Sequence, residues 1–315
     1  MMASVRRLAP PTLAAVLLVA AFTSGGAAAP LPQATTCPLF PRSFATNQRV
    51  DRLPVARDSA AIVASIGLEE GLHADFGAGT YEGRPIGIPF DVVSRRTPRS
   101  RVRFGYADES DRVRYPIPRG VHVEGGPSAD GDRHALLLDR DRCRLYELFD
   151  LRGGPGAWTA GSGATWDLRS TRLRPAGWTS ADAAGLPILP LLARYDEVRR
   201  GRIDHALRVT VRRSRRAFVH PARHFSSDSD DPSLPRMGER LRLKRGVDLG
   251  GLPRQARVVA RALKRYGLIV ADNGSDWFIS GAPDRGWDND QLARLRGIAG
   301  RDFEVVDASG LRAAR

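Results

Sequence analysis

The stretch His134-Ala-Leu-Leu-Leu-Asp-Arg-Asp-Arg-Cys-Arg-Leu-Tyr-Glu-Leu-Phe149 decides how the chain is read. An apolar run over 134–139, the charged triplet Arg140-Asp141-Arg142 and a second apolar run over 143–149 spell a β-hairpin. Side chains alternate across a strand. The second strand therefore sets Cys143, Leu145, Glu147 and Phe149 on one face and Arg144, Tyr146 and Leu148 on the other. Glu147 is expected among apolar neighbours, where loss of water penalises the carboxylate and raises its pKa.

Working outward, short apolar or alternating runs predict strands over 86–93, 101–106, 164–168, 205–211, 241–244, 268–271, 277–279 and 303–306. In the 241–244 run Arg240, Arg242 and Lys244 alternate with Leu241 and Leu243, which reads as an exposed-face strand. Helices are expected at 59–66, 191–200, 253–266 and 289–298. The 253–266 helix places Ala256, Val259, Ala260 and Leu263 on one face and stops at Gly267. Asn273-Gly274, between the 268–271 and 277–279 runs, is a strong hairpin signal. Many short strands with few helices predict a β-rich α+β fold. Its expected form is an antiparallel β-sandwich or barrel with peripheral helices. Residues 38–127 read as a loop-rich wrapping segment, 128–250 as the β core and 251–315 as a helix-hairpin-helix C-terminal part.

Between the core strands lies Trp178-Thr-Ser-Ala-Asp-Ala-Ala-Gly-Leu-Pro-Ile-Leu-Pro190. Thr179, Ser180 and Asp182 bond to nearby backbone, and Gly185, Pro187 and Pro190 prevent a long helix. An ordered loop crossing the middle of the domain is expected, and loops on rigid scaffolds carry function.

The N-terminus reads as an export signal spanning 1–28: Arg6 and Arg7 precede a short apolar core at 13–22, and small residues follow at 25–29. The core is well short of the roughly 20 residues that span a bilayer. A single secreted globular domain, 29–315, is expected, with no later membrane span. Export permits a bridge between Cys37 and Cys143, two free thiols being the alternative. Lys and Arg total 49 against 35 Asp and Glu, and only Lys244 and Lys264 are lysines. A coding preference for arginine explains this, as does a surface for an anionic polymer. The basic residues are spread along the chain, with one local cluster at Arg212, Arg213, Arg215 and Arg216, and are not concentrated on one element with interleaved aromatics, which argues against a nucleic-acid partner.

No Gly-x-Ser-x-Gly elbow, zinc helix, phosphate loop or dinucleotide fingerprint is present, so no cofactor and no metal are expected. The candidate catalytic groups are the carboxyls Glu147, Asp167 and Asp182. A carboxyl in an apolar setting can act as general acid while a better-solvated partner stays ionised, as glycoside cleavage requires. Trp166 and Trp178 beside them suit stacking on sugar rings, and His205, Arg223 and His224 complete the candidate substrate-binding set. The alternative places Glu147 against arginine, Asp182 as a turn cap and both tryptophans in the core. His205, His220 and His224 with Asp182 or Asp204 could face one metal, although Pro221 breaks any helical spacing. Ser180 could serve as a nucleophile but lies in a capping context.

The runs Gly131-Asp-Arg-His-Ala-Leu-Leu-Leu-Asp-Arg-Asp141, Leu145-Tyr-Glu-Leu-Phe149, Ala160-Gly-Ser-Gly163, Arg174-Pro-Ala-Gly-Trp-Thr-Ser-Ala-Asp-Ala-Ala-Gly185 and Ala271-Asp-Asn-Gly-Ser-Asp-Trp277 resemble those of a group of exported bacterial proteins of unassigned function. Some members of that group are joined to immunoglobulin-like or sugar-binding modules. The resemblance implies an extracellular setting and a polysaccharide connection, and it carries no catalytic residues across. The group's Tyr-Val-Trp-Pro-Ala-Arg-His reads Phe218-Val-His-Pro-Ala-Arg-His224 here, so no shared role depends on an aromatic at His220. Three readings follow: binding or hydrolysis of an extracellular polysaccharide, a non-catalytic surface or adhesion module, and a histidine-based metal hydrolase.

Overall fold

A computed structural model describes residues 28–311, so the export-signal reading falls, but for Ala28, outside the described residues. The expected hairpin is formed by Ala135–Asp139 and Arg144–Phe149, paired with Leu137 opposite Tyr146. Its turn is closed by Asp139, whose carboxylate accepts the backbone N–H groups of Asp141 (3.1 Å) and Arg142 (3.2 Å) and pairs with Arg99 (2.9 Å). Ser162–Asp167 adds antiparallel to one edge and Phe90–Val93 parallel to the other, giving a four-stranded sheet. Apolar side chains cover both of its faces, Leu136, Leu138, Cys143 and Leu145 on one and Leu137, Tyr146 and Leu148 on the other.

A second, six-stranded sheet runs in the order His73–Asp75, Phe278–Ser280, Leu207–Val211, Leu268–Asn273, Arg240–Leu243, Phe303–Val305. The helix Arg254–Arg265 packs against it through Ala256, Val259, Ala260 and Leu263, and the helix Ser59–Ile66 packs against the Phe303–Val305 edge. Gly267 ends the longer helix at φ +74°, where a Cβ would meet the Leu241 carbonyl at 2.2 Å, so only glycine fits there.

The fold is strand-rich α+β as expected, but the sheets are mixed, and none closes into a barrel among the described residues. Parallel pairs join His73–Asp75 to Phe278–Ser280, Leu207–Val211 to Leu268–Asn273, and Phe90–Val93 to Ala135–Asp139. The Asn-Gly hairpin is also corrected. Leu207–Val211 lies between Leu268–Asn273 and Phe278–Ser280, so those two strands do not pair with each other. The turn closes on the inserted strand: Asn273 Nδ2 donates to the Val211 carbonyl (3.2 Å) and Thr210 Oγ1 to that of Ser275 (2.6 Å).

Arg240 is a second correction, because it is 1 % exposed and not on a solvated face. Its guanidinium donates to the carbonyls of Ala45 (2.9 Å) and Tyr266 (2.6 Å), and burial pushes its pKa down to about 9. Cys37 and Cys143 are joined, with Cα atoms 5.1 Å apart and a sequence separation of 106. A loop of that length gives a cross-link worth about 2–5 kcal/mol and pins the N-terminal arm onto the four-stranded sheet.

Candidate functional site

The 178–190 loop ties the two larger sheets together, and each tie follows from a polar residue that the apolar surroundings force to find partners. Toward the four-stranded sheet, the Glu147 carboxylate accepts the backbone N–H groups of Ile188 (2.9 Å) and Leu189 (2.9 Å). Toward the six-stranded sheet, Ala184 N–H donates to the Ala271 carbonyl (2.9 Å), and Asp182 receives two hydrogen bonds from Arg208 (2.9 and 3.2 Å). Inside the loop the Ser180 hydroxyl accepts Asp182 N–H (2.9 Å) and donates to the Leu186 carbonyl (2.6 Å). Gly185 turns the chain at φ +68° where a Cβ would strike the Trp178 carbonyl at 2.5 Å.

This loop walls a cavity of about 330 Å³ whose lining includes Tyr106, Asp132, Thr179, Asp182, His224 and Asp272. Asp182 is buried where it lines the cavity, and its partner Arg208, also buried, donates to Ser280 Oγ (2.7 Å). Burial alone would lower the Arg208 pKa, but the carboxylates around it, Asp182 first, hold it above its ordinary value. Asp272 lies 3.6 Å from Arg208 Nη2 with its side chain 23 % exposed. Burial, and next the Asp182 carboxyl with which it shares a hydrogen bond, raise its pKa to about 7. One guanidinium thus faces two carboxyls, and at Asp272 burial and the Asp182 carboxyl together outweigh it. Burial also raises the pKa of Asp132, and the nearby Glu124 and Asp272 carboxyls add to the shift.

Behind Asp132 sits the buried His134. Both ring nitrogens face acceptors, Nδ1 toward Glu124 and Nε2 toward the Ala181 carbonyl (2.9 Å). Burial works against its charge, but the Glu124 carboxylate outweighs burial and the pKa rises to about 9. Among the described residues, Glu124, Asp132 and His134 are the group whose ligand atoms lie within 4.8 Å of one another, close enough for a metal. An imidazolium with both nitrogens donating has no lone pair to offer. The trio is an ion pair, His134 with Glu124, beside the Asp132 carboxyl.

The expected site residues are thus dispersed. Asp182 reaches the cavity, but Glu147 is sealed beneath the loop as its anchor, where burial raises its pKa to about 7 as the strand pattern foretold. Asp167 stands exposed at the end of its strand and caps a turn by accepting Arg169 N–H (3.0 Å). Trp166 is buried in the core and Trp178 half-buried, and the Arg174 guanidinium lies over both rings, 5.8 Å and 5.4 Å from their centres. Those indoles are occupied by a cation, so the expected sugar platform is not there.

The histidines separate as well. His205 is fully buried between Glu197 (3.0 Å) and the Ala206 carbonyl (2.7 Å), and His220 lines another groove with Arg236 and Glu239. His224 does line the cavity, its Nδ1 donating to the Ala183 carbonyl (2.8 Å). Arg223 Nε donates to the Arg174 carbonyl (2.9 Å), which braces the loop's approach. Ser180, 1 % exposed and doubly bonded, is a brace and not an accessible nucleophile.

Three residues of the site escaped the reading of the sequence: Asp132 and Asp272, which line the cavity, and Arg208, which pairs with Asp182 and Asp272. Arg208 did leave a signal, since an arginine inside an apolar strand must find a carboxylate once both faces of the sheet are covered. No protein-family model, curated protein or solved structure matches the chain.

Proposed function

We propose that the protein is exported and hydrolyses an extracellular polysaccharide in the 330 Å³ cavity, with Asp272 as general acid and Asp132 as general base. We read the two larger sheets as the layers of a sandwich joined by the 178–190 loop. One observation carries the functional reading: Asp272 is a solvent-reached carboxyl with a pKa of about 7 in a cavity lined by hydrogen-bonding groups. A general acid works best when its pKa lies near the working pH.

In this reading Asp272 gives its proton to the leaving glycosidic oxygen while Asp132 accepts one from the water that attacks the anomeric carbon. Arg208, 3.6 Å away, stabilises the Asp272 anion that results. Asp182 shares a hydrogen bond with Asp272 and so lies closer than the roughly 5–10 Å that separates a catalytic carboxyl pair. It is a positioning residue. Thr179, Ser226 and Asn273 supply partners for sugar hydroxyls, and Tyr106, 57 % exposed at the rim, supplies the ring that Trp166 and Trp178 do not.

The test is release of reducing ends from a panel of bacterial and plant polysaccharides as a function of pH. Release from at least one polymer is expected, falling on the alkaline side with a midpoint near about 7 as Asp272 loses its proton. Tight binding without release would assign the cavity to the non-catalytic adhesion reading, and neither binding nor release would reject a polysaccharide ligand.

A further inference from the structure

We infer that the groove alongside the Arg254–Arg265 helix is a separate binding site for an anionic glycan, one bearing sulfate or carboxylate groups. It shares no lining residue with the carboxyl cavity and does not depend on the hydrolytic reading. The groove, of about 650 Å³, is framed by that helix, the end of the strand Arg240–Leu243 and the segments 49–52 and 201–203. Eight arginine and lysine side chains line it against one carboxylate, Asp51.

Asp51 is already taken by Arg49. Arg202 and Arg242 are paired with Asp204 (2.8 Å) and Glu304 (2.7 Å), and Lys264 donates to the carbonyls of Arg245 (2.8 Å) and Val247. Four exposed guanidinium groups remain, those of Arg52, Arg245, Arg261 and Arg265. None of the four makes a side-chain hydrogen bond or ion pair among the described residues.

The helix itself repeats this imbalance. Its sequence Arg254-Gln-Ala-Arg-Val-Val-Ala-Arg-Ala-Leu-Lys-Arg265 has five basic residues and no acidic one. Arg261 and Arg265, both lining the groove, stand one helical turn apart, and like charges so placed destabilise a helix. A merely solvated helix face interleaves glutamate to remove that cost. Here the cost is left standing on a concave surface, and an external polyanion removes it on binding. Guanidinium forks match the paired oxygens of sulfate and carboxylate. None of the lining residues is aromatic, so a nucleic-acid strand finds no ring for its bases to stack on.

The experiment measures binding of the full chain to a fluorescent heparin oligosaccharide, an oligogalacturonate and an oligothymidylate of matched charge, at about 50 and about 200 mM salt. Binding to the sulfated or the carboxylated glycan is expected, weakening as salt rises, and the stronger of the two names the anionic group. Combining Arg52→Ser, Arg245→Ser and Arg261→Ser should weaken it by at least about tenfold. The same three positions changed to lysine should keep most of the affinity, which separates lost charge from lost folding. The charge-matched control Arg213→Ser, Arg285→Ser and Arg294→Ser should stay within about twofold of the wild type. Equal losses in the two serine triples, no glycan binding at the lower salt, or oligothymidylate binding at least as tightly as both glycans would each overturn the inference.

Discussion

Arg208→Leu is expected to destabilise the protein by about 3–5 kcal/mol, read as a lowered urea midpoint. The substitution leaves Asp182 fully buried without the guanidinium that gives it two hydrogen bonds, and the cost of an unpaired buried carboxylate dominates. Against a typical total of about 5–15 kcal/mol, that loss approaches unfolding. The reverse change, Asp182→Leu, should cost less, because Arg208 can turn to Asp272, already 3.6 Å away. Removing both charges together should recover much of the single loss, since apolar replacement of a whole buried pair is often neutral. Additive losses in the double variant would show that the pair is not the link holding the loop to the six-stranded sheet.

Asp272→Asn should move activity and stability in opposite directions. Loss of the general acid is expected to slow polysaccharide cleavage by about 10²–10⁴-fold. Stability should rise above neutral pH, and the sign follows from linkage. The folded pKa of Asp272 is raised to about 7, so its favourable contribution is fully present below the unfolded value and is lost as pH rises through 7. Asparagine stays neutral throughout. The variant should therefore match the wild type near pH 4 and exceed it at pH 8 by an amount on the order of a few kcal/mol. Glu147 and His134 are raised too and follow the same sign, while Glu124, held down by His134, follows the opposite one. Taking the difference between variant and wild type at each pH isolates Asp272. A carboxyl that destabilises its own fold at the working pH is what a site optimised for reaction shows. A variant less stable by the same amount at both pH values would indicate a purely structural aspartate.

The hairpin around Asp139 and the placement of Glu147 were legible because strand alternation and turn chemistry act over a few residues. The 253–266 helix was legible for the same reason, its apolar face recurring at helical spacing up to a glycine. Sheet order was not. Asn273-Gly274 signals a local turn, but nothing near it reports that Leu207–Val211, some sixty residues earlier, enters between the flanking runs. The same blindness hid Asp272, which reads as a turn residue until Asp182 and Arg208 are brought against it. Trp166 and Trp178 misled in the other direction. Indoles beside a polar loop suggest a sugar platform, and only the fold shows Arg174 lying over both. Glu147 was placed correctly on its strand and assigned the wrong task. An acid among apolar groups has a raised pKa whether it meets solvent or, as here, two buried backbone N–H groups.

The central claim is that Asp272 holds a proton near neutral pH because it is buried beside the Asp182 carboxyl, against the opposing pull of Arg208. The most direct measurement is a carbon-13 NMR titration of the aspartate carboxyl carbons in wild type and Asp272→Asn. One carboxyl titrating with a midpoint near 7, and missing from the variant, is the predicted result. A wild type in which the Asp272 carbon titrates in the ordinary aspartate range, around pH 4, would contradict it.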